Sequence, residues 1–345
     1  MRAPFELAGE KVTAGSHRFI QVPVAQLYTQ TPVSIPVHVL HGRRSGPVLM
    51  VSAAIHGDEL NGVEIIRRLL RHSALRNLRG TLLAVPVVNV FGFIHHSRYL
   101  PDRRDLNRCF PGSESGSLGA RTARMFKTAV LDHATHGIDL HTGAIHRSNL
   151  PQVRANLDNP EVADLAQAFG VPVVMHSELR EGSLRETADT AGVPVITYEA
   201  GEALRYDESC VRAGLRGVIN VMRHLEMVRS RPRKPRQAQV ARSSSWVRAE
   251  NDGVFRSLVA LGRYVREGEC IGRISDPFGT TEQDVVAASD GILVGRNNLP
   301  LVHEGEALFH IARYEGGEDL ARKVESFQNK LDNHEGAEDE PPIAP

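Results

Sequence analysis

Apolar and polar residues along the chain follow two alternating patterns. Near-continuous apolar runs are typical of strands that are buried on both faces of a sheet. Such runs predict strands at 48–55 and 81–88, and two more that end at 138–141 and 193–199. Amphipathic periodicity predicts helices near 62–75, 118–134, 160–169 and 208–228. Strands that alternate with helices predict an α/β domain, here at 46–228, with a mostly parallel or mixed sheet.

The first 45 residues have a different pattern. They read as short strands and turns, so residues 1–45 are predicted to be a β-rich lead-in. The most strand-like stretch is 32–40, where Val33, Ile35, Val37 and Val39 alternate with other residues. Its two prolines predict an edge strand or strand ends, because proline cannot donate a hydrogen bond to a sheet.

The C-terminal third contains a linker, a repeat and a tail. Residues 229–245 are basic and broken by prolines, which predicts a linker. Two similar units begin at Asp252 and Asp290, and they resemble the halves of a lipoyl/biotinyl-like β-sandwich, so 246–313 is predicted to be a smaller all-β domain. No lysine lies between Lys234 and Lys323, which excludes the carrier function of that family. Residues 314–345 are predicted to form a short helix and an acidic tail.

Composition excludes several functional classes. The 41 basic and 41 acidic side chains cancel, so no global field favours nucleic acid or an anionic membrane. No apolar stretch reaches the roughly 18 residues of a membrane span, and the N-terminus lacks the apolar core of a signal peptide. The three cysteines are few and far apart, which favours a reducing cytosol and predicts a cytoplasmic protein.

Two polar clusters follow apolar strands and carry metal-binding side chains. His56 and Glu59 are spaced so that both could reach one ion from a tight turn. His141 could be a third ligand, and Asp139 shares its face of a strand and could orient a ligand. The competing interpretations are an ordinary polar turn and a structural histidine.

Two further clusters suggest substrate binding and proton transfer. Arg98 and the Asn107–Arg108 pair lie in the long loop after the second strand, and an arginine with an adjacent amide suits a carboxylate. Glu199 ends an apolar strand and would suit a general base. Surface salt bridges and an ion pair with an arginine compete with these interpretations.

Taken together and in this order, the clusters resemble one family. The motifs HGDE, RY, DLNRCFPG, DLHTG and YEAGE, spread over about residues 45–230, are similar to those of the succinylglutamate desuccinylase/aspartoacylase family, which is related to zinc carboxypeptidases. The resemblance implies a zinc carboxypeptidase-like mixed sheet flanked by helices. It also implies one zinc ion per chain, bound by His56, Glu59 and His141. Glu199 would activate the zinc-bound water and protonate the leaving amine, and Arg98 would stabilise the oxyanion.

The same resemblance implies a substrate and a reaction. Asn107 and Arg108 would hold a substrate carboxylate, and Arg185 is a further candidate for that role. The implied activity is a zinc-dependent amidohydrolase that removes an acyl group from an N-acyl amino acid or a similar small carboxylate. The alternatives are a metallocarboxypeptidase acting on small peptides and a non-catalytic zinc- or ligand-binding protein. The predicted partner is the small N-acylated substrate, with no nucleic acid and no membrane; the C-terminal domain could cap the site, narrow it, or mediate a homo-oligomer.

Overall fold

A computed structural model describes residues 2–229, 238–314 and 317–332. These residues form a mixed α/β fold in which strands outnumber helices. The strands are β1 (Phe5–Leu7), β2 (Glu10–Val12), β3 (Ser16–Gln26), β4 (Pro32–His41), β5 (Arg44–Ala53), β6 (Arg79–Val85), β7 (His136–Gly143), β8 (Arg147–Ala155), β9 (Val173–His176), β10 (Val195–Glu202), β11 (Gln239–Ala241), β12 (Ser243–Arg248), β13 (Gly253–Ser257), β14 (Tyr264–Val265), β15 (Cys270–Ser275), β16 (Glu282–Val286), β17 (Gly291–Asn297), β18 (Leu301–Val302) and β19 (Ala307–Arg313). The helices are α1 (Asn61–Arg71), α2 (Val90–Ile94), α3 (Leu118–Ala129), α4 (Pro160–Phe169), α5 (Leu184–Thr190), α6 (Glu208–His224) and α7 (Gly317–Asp332).

One large mixed sheet runs through the chain. Its strands follow the order β12-β19-β17-β8-β10-β7-β5-β6-β4-β3, and β9, β11 and β14 attach beside this path. The four strands β6, β5, β7 and β10 are parallel neighbours, so their carboxyl ends meet at one edge. That edge is where ligands bind in open α/β sheets. The predicted mixed sheet is therefore confirmed, and it brings the polar clusters of three strands together.

The two faces of this sheet have different neighbours. On β7, Ile138 and Leu140 pack into the core that α1, α4 and α6 cover. Tyr198 lies in the same core, where its ring stacks on Phe169 and its hydroxyl donates to the carbonyl of Cys210. Because side chains alternate along a strand, the intervening residues of β7 and β10 point to the opposite face. The candidate site lies on that second face.

Local sequence signals explain the clearest helix boundaries. The Asn159 side chain accepts hydrogen bonds from the first turn of α4, and Pro160 takes its first position. Gly170 ends the helix with a φ of 86°, which glycine adopts without strain. The predicted helix at 160–169 is therefore confirmed at both ends. The predicted helix at 208–228 ends earlier, at His224, and the one at 118–134 is α3 followed by a 3₁₀ segment, Leu131–His133.

The strand in the N-terminal lead-in is not an edge strand. β4 pairs with β3 along its length and with β6 over residues 38–41, so the expectation of an edge position is wrong. Its prolines nevertheless fit the sheet, because Pro32 begins the strand and Pro36 lies where only β3 pairs with it. The strand at this end of the sheet is β3 instead.

The C-terminal region forms a β-rich unit that continues the large sheet. Strands β16, β15, β13 and β18 form a second sheet, and an apolar core separates it from β12, β17 and β19. β17 pairs with β8, which joins this unit to the α/β region. An all-β unit is thus present, whereas its lipoyl-like type and the exact domain boundaries stay predictions.

The predicted linker needs one correction. Residues 230–237 and the predicted acidic tail at 333–345 lie outside the described residues. Residues 239–241, within the stretch predicted as linker, form β11, which pairs in parallel with β9 because its apolar residues continue that edge of the sheet. Residues 243–245 already belong to β12.

Within the described parts of the chain, no helix combines the length and apolar character that a membrane span needs.

Candidate active site

The first part of the site is a tight turn that follows β5. The turn closes with a hydrogen bond from the Glu59 amide to the His56 carbonyl. Gly57 lies against the backbone of α2, where a Cβ atom would come within 1.9 Å of the Gly92 carbonyl carbon. A side chain at position 57 would therefore push the turn away from α2. This close approach buries His56 and Glu59 at the end of the strand.

His56, Glu59 and His141 converge on one point. The Glu59 Oε1 atom lies 2.7 Å from His56 Nδ1, and its Oε2 atom lies 2.8 Å from His141 Nδ1. The ligand atoms of the three residues all lie within 4.8 Å of one another, and all three residues are buried. The Thr142 amide also donates to Glu59 Oε2. The structure therefore brings the three predicted metal ligands together.

A buried chain of hydrogen bonds supports His141 from behind. The Asp139 Oδ2 atom lies 2.6 Å from His141 Nε2, and Asp139 Oδ1 accepts a 2.8 Å hydrogen bond from the Ser52 hydroxyl. Asp139 is thus bonded to the imidazole nitrogen that faces away from Glu59. This arrangement fixes the orientation of the ring and leaves Nδ1 for a ligand. The prediction that Asp139 orients a ligand agrees with these contacts.

Arg98 and Asp105 form the opposite wall. Arg98 donates to Asp105 Oδ2 through Nε and Nη2, and its Nη1 donates to Glu59 Oε1 at 3.3 Å. Asp105 Oδ1 lies 3.2 Å from His56 Nε2. Asp105 therefore supports His56 as Asp139 supports His141. Sequence reasoning gave Asp105 no role, although the residue lies in the DLNRCFPG motif and carboxylate–histidine pairs are common at metal sites.

The electrostatics of the cluster favour positive charge at its centre. Burial disfavours a charge on His56, yet Glu59 and Asp105 outweigh burial and raise the pKa of His56. Burial is likewise outweighed at His141, where Asp139 and Glu59 raise the pKa well above its usual value. Despite its own burial, Glu59 has a pKa held well below the usual range by the two imidazoles. Two imidazoles and a carboxylate are also a donor set that catalytic zinc sites use. The residues present therefore fit a zinc ion.

Glu199 lies beside this cluster. It is the register partner of His141 on the neighbouring strand, so the two side chains share a face of the sheet. Its Oε2 atom accepts a 3.0 Å hydrogen bond from Asn149 Nδ2. Arg154 Nε lies 3.0 Å from the same oxygen, in an ion pair without hydrogen-bond geometry. The ion pair with an arginine that competed with the base interpretation is therefore present. Glu199 nevertheless lies beside the cluster, where a general base would be placed.

The predicted substrate residues lie in a 3₁₀ turn, Leu106–Arg108, and at the start of α5, and these two segments pack together. Asn107 Oδ1 accepts a hydrogen bond from the Leu184 amide, and a Cβ atom on Gly182 would come within 2.7 Å of the Arg108 carbonyl oxygen. Arg108 itself is exposed. Arg185 donates to Ser177 and to the Glu178 carbonyl. Burial lowers the pKa of Arg185, and the negative charge of Glu199 opposes this shift only in part.

Asn149 and Arg154 were missed at the sequence level. Both lie on β8, which no apolar run predicted. Their contacts with Glu199 depend on the antiparallel pairing of β8 with β10, in which Asn149 faces Gly201 and Arg154 faces Thr197. A single amino-acid sequence carries no signal for the pairing of two strands that lie far apart along the chain.

Comparisons with known proteins find relatives over most of the chain. Residues 45–225 match the model of the succinylglutamate desuccinylase/aspartoacylase catalytic domain. The N-alpha-acetyl-L-2,4-diaminobutyric acid deacetylase of Halomonas elongata is 28% identical over 311 residues, which cover 86% of this chain and 91% of the relative.

Solved structures share the fold. The crystal structure of a succinylglutamate desuccinylase/aspartoacylase from Rhodobacter sphaeroides matches with a TM-score of 0.76 at 24% identity, covering 87% of this chain and 96% of that chain. The product-bound structure of the ectoine utilization protein EutE (DoeB) from Ruegeria pomeroyi matches with a TM-score of 0.79 at 23% identity, covering 90% of this chain and 99% of that chain. Coverage of this extent means that the similarity reaches into the C-terminal β-rich unit.

Proposed function

This chain belongs to the succinylglutamate desuccinylase/aspartoacylase family, and we propose that it is a zinc-dependent deacylase of N-acyl amino acids. The observation that carries the proposal is the convergence of His56, Glu59 and His141, with Glu199 in register beside His141. A hydrolase of this type needs a bound metal and a nearby base, and both requirements have candidates here. The names of the relatives, a deacetylase and succinylglutamate desuccinylases, support the same reaction class.

His56, Glu59 and His141 would hold the metal. When bound there, a zinc ion would supply a nucleophile at neutral pH by lowering the pKa of its water towards about 7. The carboxylates of Asp139 and Asp105 would keep the two imidazoles oriented, since each bonds the ring nitrogen that faces away from Glu59.

Glu199 would move the proton. Among the described residues, Asn149 and Arg154 both contact its Oε2 atom, which leaves Oε1 to accept a proton from the attacking water. The same oxygen would then deliver the proton to the leaving amine, because the amine must be neutralised as the amide bond breaks. This assigns the base and the acid of the reaction to one carboxylate.

The arginines would bind the substrate. Arg98 would direct its guanidinium at the scissile carbonyl and stabilise the charge that develops on that oxygen. Asn107 and Arg108 would hold the carboxylate of the amino acid, for which an exposed guanidinium is suited. Arg185 would act at the same substrate from helix α5, whose first residue donates its amide to Asn107. A small N-acylated carboxylate is therefore the proposed substrate class.

A hydrolysis panel tests the proposal. N-acetyl and N-succinyl amino acids would be assayed beside short peptides, and zinc would be measured in the same samples. We expect release of free amino acid, about one zinc per chain, and loss of activity after chelation that added zinc restores. Faster hydrolysis of the peptides would favour a metallocarboxypeptidase, and bound zinc without any hydrolysis would favour a binding protein. The cytoplasmic location and a homo-oligomer stay predictions that these assays do not address.

A further inference from the structure

The C-terminal β-rich unit reaches the candidate base through one strand. β17 pairs antiparallel with the beginning of β8, where Gly295 faces Asn149. On its other edge, β8 pairs with β10, where Asn149 faces Gly201, two residues beyond Glu199. Asn149 therefore lies between a strand of the C-terminal unit and the strand that carries Glu199.

The side chain of Asn149 makes the connection. Its Nδ2 atom donates a 3.0 Å hydrogen bond to Glu199 Oε2. Arg154 neutralises the same oxygen but lacks hydrogen-bond geometry, so the directional contact comes from Asn149. A Cβ atom on Gly295 would lie 3.0 Å from Asn149 Oδ1 and 3.1 Å from His310 Cβ. The absence of a side chain at Gly295 is thus what lets the amide lie against β17.

A second set of contacts holds the start of β8 in place. The Asn298 amide donates to the His146 carbonyl at 2.7 Å. The Asn298 side chain donates to the Ser148 hydroxyl at 2.6 Å and to Glu202 Oε2 at 2.9 Å. These bonds fasten the end of β17 to the residues just before Asn149. Among the described residues, Asn298 makes no hydrogen bond to Glu199, so it offers a matched control.

We propose that Asn149 is a positioning residue for Glu199, and that β17 sets the place of Asn149. The C-terminal unit would then take part in catalysis by fixing the base, in addition to any role at the substrate entrance. This inference rests on the proposed function for its kinetic consequences only. The physical reason is that a glutamate side chain has several rotatable bonds, while a base must stay within hydrogen-bond reach of its proton.

The first experiment compares Asn149→Ala and Asn149→Asp with the control Asn298→Ala, all loaded with zinc. An ionised aspartate keeps the shape of the side chain but cannot donate a hydrogen bond to Glu199, and it places a second negative charge beside that carboxylate. If the whole free energy of a hydrogen bond to a charged group stabilises the transition state, removing that bond lowers kcat by about ten- to hundredfold. We expect that loss in both Asn149 variants, with KM changed less than about threefold, because the contact orients the base and leaves substrate binding intact. Asn298→Ala removes the side-chain bonds to Ser148 and Glu202 and keeps the hydrogen bond from the Asn298 amide to His146, so kcat should stay within about twofold.

The second experiment tests the route through β17. Gly295→Ala would press on Asn149 Oδ1, and we expect kcat to fall about two- to fivefold, since small misplacements near the chemistry cost rate. In an Asn149→Ala background, the same Gly295→Ala change should have no further effect on kcat. If the kcat losses of the two substitutions were additive in the double variant, the proposed action of β17 through Asn149 would be overturned, because Gly295 would then act elsewhere. Should Asn149→Ala fail to fold, Gly295→Ala and Asn149→Asp carry the test.

Crystal structures of the wild type and Asn149→Ala separate this inference from the proposed function. We expect the Glu199 carboxylate to leave its wild-type position or to occupy several positions in the variant. An unchanged carboxylate would overturn the inference, whatever the activity. The inference would also be overturned if the Asn298 variant lost as much kcat and as much melting temperature as the Asn149 variants, because Asn149 would then have only a structural role. If the wild type hydrolyses no N-acyl amino acid, the proposed function fails, and the carboxylate position still decides the inference.

Discussion

Asp139→Asn is the change that isolates the support of the metal site. Asp139 is buried, and it accepts from the Ser52 hydroxyl through Oδ1 while Oδ2 lies 2.6 Å from His141 Nε2. An asparagine of the same shape has only one oxygen, so either Ser52 or His141 must face an amide NH₂ group. The imidazole would then face an NH₂ group or keep only a neutral amide oxygen in place of the carboxylate, while the three ligands stay in place.

The magnitude follows from this single lost contact. Removing the carboxylate behind a ligating histidine weakens metal binding by about 10- to 100-fold, or about 1.4 to 2.8 kcal/mol at 25 °C. We expect that change in a zinc competition titration against a chromophoric chelator at fixed pH and salt. Ser52→Ala is the matched control, because it leaves the Asp139–His141 contact intact; its zinc affinity should change less than about threefold.

Two results would refute this reasoning. If Asp139→Asn bound zinc as tightly as the wild type, the buried chain behind His141 would not support the metal. If Ser52→Ala lost as much affinity as Asp139→Asn, the effect would come from packing rather than from the carboxylate. At saturating zinc the Asp139→Asn enzyme should regain most of its kcat, because this residue does not reach the substrate.

Three further outcomes are expected. Glu199→Gln should keep its zinc by metal analysis and lose about 10²- to 10⁴-fold in kcat; full activity would rule out the assigned base. Chelation should lower the melting temperature, and zinc at about 1,000 times its Kd should restore about 4 kcal/mol of stability. Arg68→Met should lower the melting temperature, because Arg68 bonds both Glu64 and Glu208. Hydrogen bonds from Arg67 and Arg68 lower the pKa of Glu64, and hydrogen bonds from Arg68 lower the pKa of Glu208. The stabilisation by these ion pairs is therefore fully present above the unfolded pKa of about 4.5 and is lost as the pH falls through the lowered folded pKa values. The variant should therefore differ least from the wild type near pH 3 in thermal unfolding, and an equal difference at pH 7 and pH 3 would contradict the ion-pair explanation.

The regular elements of the α/β region were predictable because each has a local cause. Helix α4 begins and ends where Asn159, Pro160 and Gly170 predict, and the buried parallel strands show as apolar runs. Helices α2 and α5 were not predicted, since five and seven residues are too few to show a helical period. Strand β8 was also not predicted, because it carries polar residues that face the site rather than a core.

The candidate site was predictable where the chemistry lies within short motifs. His56 and Glu59 share one turn, and His141 and Asp139 share one strand face, so spacing alone suggested their cooperation. The roles of Asp105 and Asn149 depend on contacts across 49 and 50 positions of sequence, to His56 and to Glu199. Such contacts are set by strand register and loop packing, and a single sequence carries no pattern for them.

The position of α7 has a consequence for the order in which this protein can be completed. Phe327 and Leu331 of this helix lie in the same core as α1, α4 and α6, and the Leu331 carbonyl accepts a hydrogen bond from Arg212. A ribosome that has just finished the α/β region has therefore not yet made two of the side chains in its core. Since nascent domains fold as their residues emerge, the α/β region can reach its final packing only after α7 has left the ribosome.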